Sequence, residues 1–195
     1  MIYLLRHGQT EYNVEHRIQG RCDSPLTELG RDQAQAMSVK LRELVGDPDS
    51  FELVSSPQPR ALTSAGLVAE AAGFNRKIVT DERLQEVGCG SWERHHFATL
   101  AARDPLIGEA PNFLAAWARY CTDGEGLEAA SDRLASFLLW AEGKALVVVS
   151  HGCAGSILRS LYVGTGADDM LSSGSVSQDR FHRLHAGAVE EIAVP

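Results

Sequence analysis

Apolar positions along the chain follow two rhythms. Ile2 to Leu5, Phe51 to Ser55, Lys77 to Thr80 and Ala145 to Val149 are short apolar or β-branched runs that predict strands. The last of them has the continuous character of a strand buried on both faces of a parallel sheet. Between these runs the spacing becomes helical. Leu29, Ala34, Met37, Leu41 and Leu44 predict an amphipathic helix from a Thr27 N-cap to about Val45. A second helix is expected over Ala61 to Ala72, entered through Ser56-Pro57-Gln58-Pro59 and closed by Gly73. Leu127, Ala130, Leu134, Phe137, Leu138 and Ala141 form the clearest stripe, and a further helix is expected from Ala154 to Tyr162. Strand and helix alternate, which predicts an α/β fold: a three-layer αβα sandwich with a mostly parallel central sheet.

The remaining stretches are less regular. Glu11 to Pro25 reads as irregular and polar, and Glu82 to Glu93 as a loop. Phe97 to Tyr120 holds short helical patterns broken at Asp104-Pro105 and Ala110-Pro111; with its flanks it reads as a helical insert, about 94–124, over the sheet edge. Phe113, Leu114 and Trp117 there read as packing. A hairpin around Ala186-Gly187 is expected in the tail, 173–195. With no internal repeat, the chain reads as one domain, 1–195.

Two strands end alike. Leu5-Arg6-His7-Gly8 and Ser150-His151-Gly152 each place a histidine at a strand's C-terminal end, just before a glycine. Ligands of open α/β sheets bind in the crevice beyond such ends. If the two strands are neighbours, the imidazoles face each other. A third junction, Ser55-Ser56, brings Arg60 on the first turn of the next helix, and helix N-termini attract anions. Two arginines, two histidines and two helix starts aimed at one place describe a phosphate pocket with a nucleophile in it.

Composition narrows the ligand. With 195 residues and 44% apolar residues the chain can fill one core, and a net charge of −8 argues against nucleic acid. An anionic substrate then needs a local cationic pocket. Cys22, Cys89, Cys121 and Cys153 lie far apart with no CxxC, which points to free thiols and away from a zinc site. No run has the length of a transmembrane span and the N-terminus enters a strand at once, so a cytoplasmic protein is expected, with a homodimer left open.

Arg6-His7-Gly8-Gln9-Thr10-Glu11-Tyr12-Asn13 resembles the signature opening of the histidine phosphatase superfamily, also called phosphoglycerate mutase-like. Gln19-Gly20, Asp23 to Gly30, Ser55-Ser56-Pro57 with Arg60-Ala61, Leu84-Gln85-Glu86 with Gly90 and Glu93, and Ser150-His151-Gly152 are similar to its later segments. Gly124-Glu125-Gly126 carries Gly126 where the family has Ser, and Arg21 replaces an aromatic residue. The resemblance implies a phosphoglycerate mutase-like fold with a helical insert over the active site. It implies that His7 attacks phosphorus and forms a phosphohistidine. Arg6, Arg60 and His151, with His151 protonated, would hold the equatorial oxygens, and Asn13, Gln19 and Gly152 would line the phosphate site. Glu86 would act as acid and then base. No metal and no cofactor are implied, and the partner would be a small phosphorylated metabolite.

The alternatives stand beside this. Glu82 rivals Glu86 for the acid, with Glu93 behind it. Arg94-His95-His96 could bind substrate at the mouth or be a solvated loop. His16, His182 and His185 read as surface residues. Cys153, at a helix start near cations, is expected either to fill a tight turn or to carry a depressed pKa beside bound phosphate. Glu86-Val87-Gly88-Cys89-Gly90 is similar to the phosphatase branch, and no adjacent arginine pair occurs between Arg94 and Gly143. A phosphomonoester hydrolase is therefore favoured over a phosphoglycerate mutase. A non-catalytic phospho-ligand binder would lack the nucleophile or the acid, and a metal-dependent hydrolase would need a carboxylate cluster.

Overall fold

A computed structural model describes residues 1–172 and 176–194. Among them β1 (Ile2–Arg6), β2 (Glu52–Ser55), β3 (Val79–Thr80), β4 (Leu146–Ser150), β5 (Arg180–His185) and β6 (Ala188–Ala193) form one sheet in the order β3-β2-β4-β1-β5-β6. β1, β4, β2 and β3 run parallel, and β5 and β6 return antiparallel at one edge. The expected mixed α/β sandwich is what forms.

Side chains alternate across the sheet, so each apolar run feeds two cores. Tyr3, Leu5, Leu53, Val147 and Val149 face α2 (Glu28–Val45) and α3 (Pro59–Ala72), meeting Met37, Leu41, Ala61, Ala65 and Val68. Ile2, Leu4, Val54, Leu146 and Val148 face α7 (Leu127–Ala141) and α8 (Gly152–Val163), meeting Leu134, Phe137 and Ile157. Three short helices, α4 (Phe97–Arg103), α5 (Pro105–Gly108) and α6 (Phe113–Tyr120), join this second core through Leu100, Ile107 and Leu114. Leu134 and Phe137 are fully buried, and truncating either to Ala removes about 2–5 kcal/mol of packing. A six-residue helix, α9 (Ala167–Ser172), follows α8.

Local chemistry explains the departures from expectation. The polar stretch after β1 begins with a short helix, α1 (Glu11–Val14), held by a reciprocal cap between Thr10 and Asn13. The third strand shrinks to Val79–Thr80 at the sheet edge. The loop 82–93 contains 3-10 turns at Glu82–Leu84 and Gly90–Trp92. The expected hairpin is β5–β6, turning at Ala186 and Gly187 with φ of 50° and 75°. Residues 173–175 and 195 of that expected tail lie outside the described residues. Cross-strand pairs Arg180–Glu191 and Arg183–Glu190 line this edge. Among the described residues no helix is long and apolar enough to cross a membrane.

One crossing places the loop after β1. A Cβ on Gly8 would stand 1.9 Å from the carbonyl oxygen of Gly30, and one on Gly30 would stand 2.0 Å from that of Gln9. Only glycine at both positions lets α2 pass this close behind His7.

Candidate active site

β1 and β4 are neighbours in register, with Arg6 opposite Ser150. The ladder continues one bond further, from the His7 amide to Ser150 O at 3.0 Å. The two histidine rings therefore face each other, centroids 5.2 Å apart, and both are buried. Arg6, His7, Arg60, Glu86, Asn13, Gln19 and Gly152 line one cavity of about 410 Å³ at these strand ends. His151 sits just beneath it. A second hollow of about 550 Å³ lies at the other end of β1, around Met1 and Leu161, and holds none of these groups.

The hydrogen bonds fix the imidazole of His7. Its Nδ1 lies 2.7 Å from Gly8 O, which can only accept, so Nδ1 carries the proton. Its Nε2 receives Arg60 Nε–H at 3.2 Å and so holds the lone pair. Burial first, then the Arg60 and Arg6 charges, push its pKa well below the usual histidine value. Ser64 Oγ accepts the Gly8 amide at 3.1 Å and steadies the turn.

His151 is fixed in a complementary way. Its Nε2 is 2.7 Å from Ser56 Oγ, which already accepts the Gln58 amide at 3.3 Å. The Ser56 hydroxyl can donate its hydrogen to Nε2, the arrangement that puts the His151 proton on Nδ1. That Nδ1 is buried and has no partner among the described residues. The expectation of a protonated His151 is corrected: burial, then the Arg60 charge, hold its pKa well below the ordinary value, so the free enzyme carries it neutral.

The arginines are held differently. Arg6 donates Nη1 to Val176 O at 2.7 Å, and its buried Nε has no partner among the described residues. Arg60 donates Nη1 to Cys22 O at 2.8 Å and Nη2 to Gly20 O at 2.9 Å. Both of its terminal nitrogens brace the loop after α1, while Nε donates to His7. Burial lowers the pKa of both, yet guanidinium stays charged.

Glu86 occupies the N-terminus of α8. Its carboxylate accepts the Cys153 amide at 3.2 Å, the Ala154 amide at 2.9 Å and its own Val87 amide at 3.0 Å. The expectation that this turn cradles phosphate is corrected: the amides at the helix N-terminus are taken by the carboxyl group of Glu86. Of the two readings of Cys153, the depressed pKa is the one its surroundings oppose. Burial, then the Glu86 charge, push its thiol well above the ordinary value, and desolvation outweighs the helix terminus. Asn13 gives its Oδ1 to Thr10 N, Thr10 Oγ1 and Gln178 Nε2, which leaves its amide nitrogen as its only donor for a ligand. Gln19 is buried with Oε1 unpartnered.

The rivals fall away from the cavity. Glu82 is exposed and pairs with Gln85. Glu93 braces the Arg21 and Cys89 amides and the Cys22 thiol, at 2.9, 3.1 and 3.0 Å. Arg94, His95 and His96 line none of it; their backbone pairs with Arg17 and Ile18 instead. His182, expected at the surface, is buried, because β5 is an inner strand covered on both faces; Arg159 Nη1 donates to its Nε2 at 3.0 Å. The outer cavity wall is Ile18, Phe97 and Phe113, the two rings edge-to-face at 5.7 Å. Pattern reasoning missed Ser56 and Gln58 as site residues, and only the Ser-Ser-Pro-Gln-Pro-Arg run that carries them was visible.

Two facing histidines and two arginines at the ends of parallel strands define an α/β enzyme built around a cationic, histidine-centred pocket. Comparison places the chain: it belongs to the histidine phosphatase superfamily, branch 1, whose family model matches residues 2–183. It is an enzyme of that phosphatase or mutase type. A relative from Citrobacter koseri named probable phosphoglycerate mutase GpmB is 35% identical over 180 residues, covering 85% of this chain and 76% of the relative. Bacillus stearothermophilus YhfR superposes with a TM-score of 0.76 at 29% identity, over 98% of this chain and 95% of that one. A mycobacterial glucosyl-3-phosphoglycerate phosphatase in complex with VO3 gives 0.76 at 25% identity, over 98% and 96%.

Proposed function

We propose that the protein hydrolyses phosphomonoesters through a phosphohistidine on His7. The observation that carries this reading is the presentation of His7 Nε2: with the ring proton held on Nδ1 by Gly8 O, Nε2 keeps a lone pair that Arg60 Nε–H holds until a phosphoryl group takes up that arginine, at the wall of a cavity shared with Arg6, Arg60 and Glu86. Nε2 attacks phosphorus in line, the P–O bond to the alcohol breaks, and the proton of Glu86 goes to the leaving oxygen. Water then attacks the phosphohistidine, Glu86 takes its proton, and His7 and inorganic phosphate are released. Arg6 Nε and Arg60 Nε supply fixed positive charge, and His151 Nδ1–H a neutral donor, to the equatorial oxygens. Asn13 and Gln19 add neutral contacts, and Gly152 shapes the floor. The residues named supply the charge and the proton transfer, with no metal or cofactor in this scheme.

Hydrolysis is favoured over mutase chemistry by the rest of the cavity. Beyond the phosphate end its wall mixes Ile18, Phe97 and Phe113 with Tyr12, His16 and Arg17, and that arginine is engaged by Glu15 at 2.5 Å and by Arg94 O at 2.9 Å. A substrate carboxylate finds no uncommitted arginine on this wall. The second reading, a phosphoglycerate mutase, is supported by the name of the 35%-identical relative. The test is an aryl phosphate offered without bisphosphoglycerate and with a chelator present: phosphate release by the wild type, none by His7→Ala, and acid-labile phosphate trapped on His7 are expected. Interconversion of 2- and 3-phosphoglycerate with no phosphate released reverses the reading to mutase.

A further inference from the structure

Gln58 is a buried carboxamide between β2 and α3, 7% exposed. A buried amide needs partners at both ends. Its backbone is occupied locally: the amide donates to Ser56 Oγ, and the carbonyl accepts from Ala61 and Leu62 at the start of α3. Its side chain does something else. Oε1 accepts the backbone amide of Glu86 at 2.7 Å, and Nε2 donates to Gly20 O at 3.1 Å. Gly20 O is also the carbonyl that receives Arg60 Nη2 at 2.9 Å. One side chain thus joins the loop that braces Arg60 to the loop that carries Glu86, across 28 and 38 residues of sequence.

Glu86 is consequently held at two points. Its backbone is tied to Gln58, and its carboxylate rests on the α8 amides. To give a proton to a leaving oxygen the carboxyl group must leave those amides, and the Gln58 bond then keeps the Glu86 backbone in place while the side chain pivots. An apolar side chain of the same size would fill the volume and provide no such anchor.

We propose that Gln58 is a positioning residue that sets Glu86 relative to the Arg60–His7 pair and so governs proton delivery to the leaving oxygen. This rests on Glu86 being the acid of the proposed hydrolysis. Without the anchor, a leaving group that needs little protonation should be unaffected, while a basic alcohol should suffer.

The experiment compares kcat/KM, which reports steps through the first phosphoryl transfer, for p-nitrophenyl phosphate and for an alkyl phosphate. Wild type, Gln58→Met, Gln58→Leu, Glu86→Gln and the double variant Gln58→Met/Glu86→Gln are measured, with melting curves alongside. Both Gln58 variants conserve volume but leave the Glu86 amide without its acceptor, so melting temperatures lower by a similar few degrees in the two are expected, with cooperative unfolding kept. The expected result is an alkyl phosphate kcat/KM about tenfold lower in Gln58→Met and Gln58→Leu, with p-nitrophenyl phosphate within about twofold. In the Glu86→Gln background, Gln58→Met should change alkyl turnover by no more than about twofold, since residues acting as a unit are non-additive. Equal losses for both substrates, no loss for either, or a full further loss in the Glu86→Gln background would overturn the proposal while leaving the acid role intact. Wild-type alkyl turnover by Glu86→Gln would overturn the acid role and this proposal together.

Discussion

Ser56→Ala isolates the tautomer of His151. The hydroxyl is fully buried and makes two bonds: 2.7 Å to His151 Nε2 and 3.3 Å from the Gln58 amide. Alanine removes the group that holds the proton on Nδ1. A net hydrogen bond is worth about 0.5–1.5 kcal/mol, which shifts the tautomer ratio by roughly 2- to 13-fold. The share of rings offering Nδ1–H to a phosphoryl oxygen falls with it, so kcat/KM for an aryl phosphate is expected to drop by up to about tenfold. Leaving Nε2 of His151 and the Gln58 amide without a partner also costs about 1–3 kcal/mol of stability. His151→Ala, which removes the donor itself, should cost more, about 10²–10³ in rate. The assay is steady-state kinetics on both variants, with nitrogen NMR of the His151 ring to read the tautomer directly. Unchanged kcat/KM with an unchanged tautomer would refute the reasoning. So would a loss in Ser56→Ala as large as in His151→Ala, which would mean the pocket had collapsed.

Three further outcomes follow from the geometry. His7, His151 and His182 all have folded pKa values below the usual 6.5 or so, His182 at about 4, so the unfolded chain binds more protons; stability should be full above about pH 6.5 and fall as pH drops from there toward 4, read as melting temperature against pH. The thiols should label in an order set by burial, with half-buried Cys22 alkylated in the native protein and Cys153 only on unfolding, and mass spectrometry of labelled peptides checks it; early, phosphate-protected labelling of Cys153 would contradict the assigned environment. Gly30→Ala, whose Cβ would stand 2.0 Å from Gln9 O, should destabilise by about 3 kcal/mol or more in urea unfolding and disturb the His7 loop, whereas exposed Gly46→Ala should leave activity intact.

The architecture was legible where one residue decided one thing. The β1 and β4 runs, their matching His-Gly ends and the α7 stripe each carried a signal within a few residues. His7, Arg6, Arg60 and Glu86 meet in one cavity because strand order, which the alternation implied, brings their junctions together. What stayed hidden depended on partners distant in sequence. Gln58 reads as a polar residue in a turn until Gly20 and Glu86 arrive beside it. The charge of His151 was misjudged, and the choice between the two readings of Cys153 left open, for one reason: nearby charges are visible in sequence, but the depth of burial that overrides them is not. His182 was read as exposed because a strand near the chain end suggests an open face, and β5 instead lies inside the sheet.

The two rims of the sheet are finished in different ways. β3 is only two residues long, and β6 carries Glu190 and Glu191 opposite Arg183 and Arg180. An incoming strand would find too short a ladder on one side and a charged, salt-bridged ribbon on the other. The apolar strands that aim both histidines are thereby kept in the interior of the sheet, away from the edges on which a foreign strand could template.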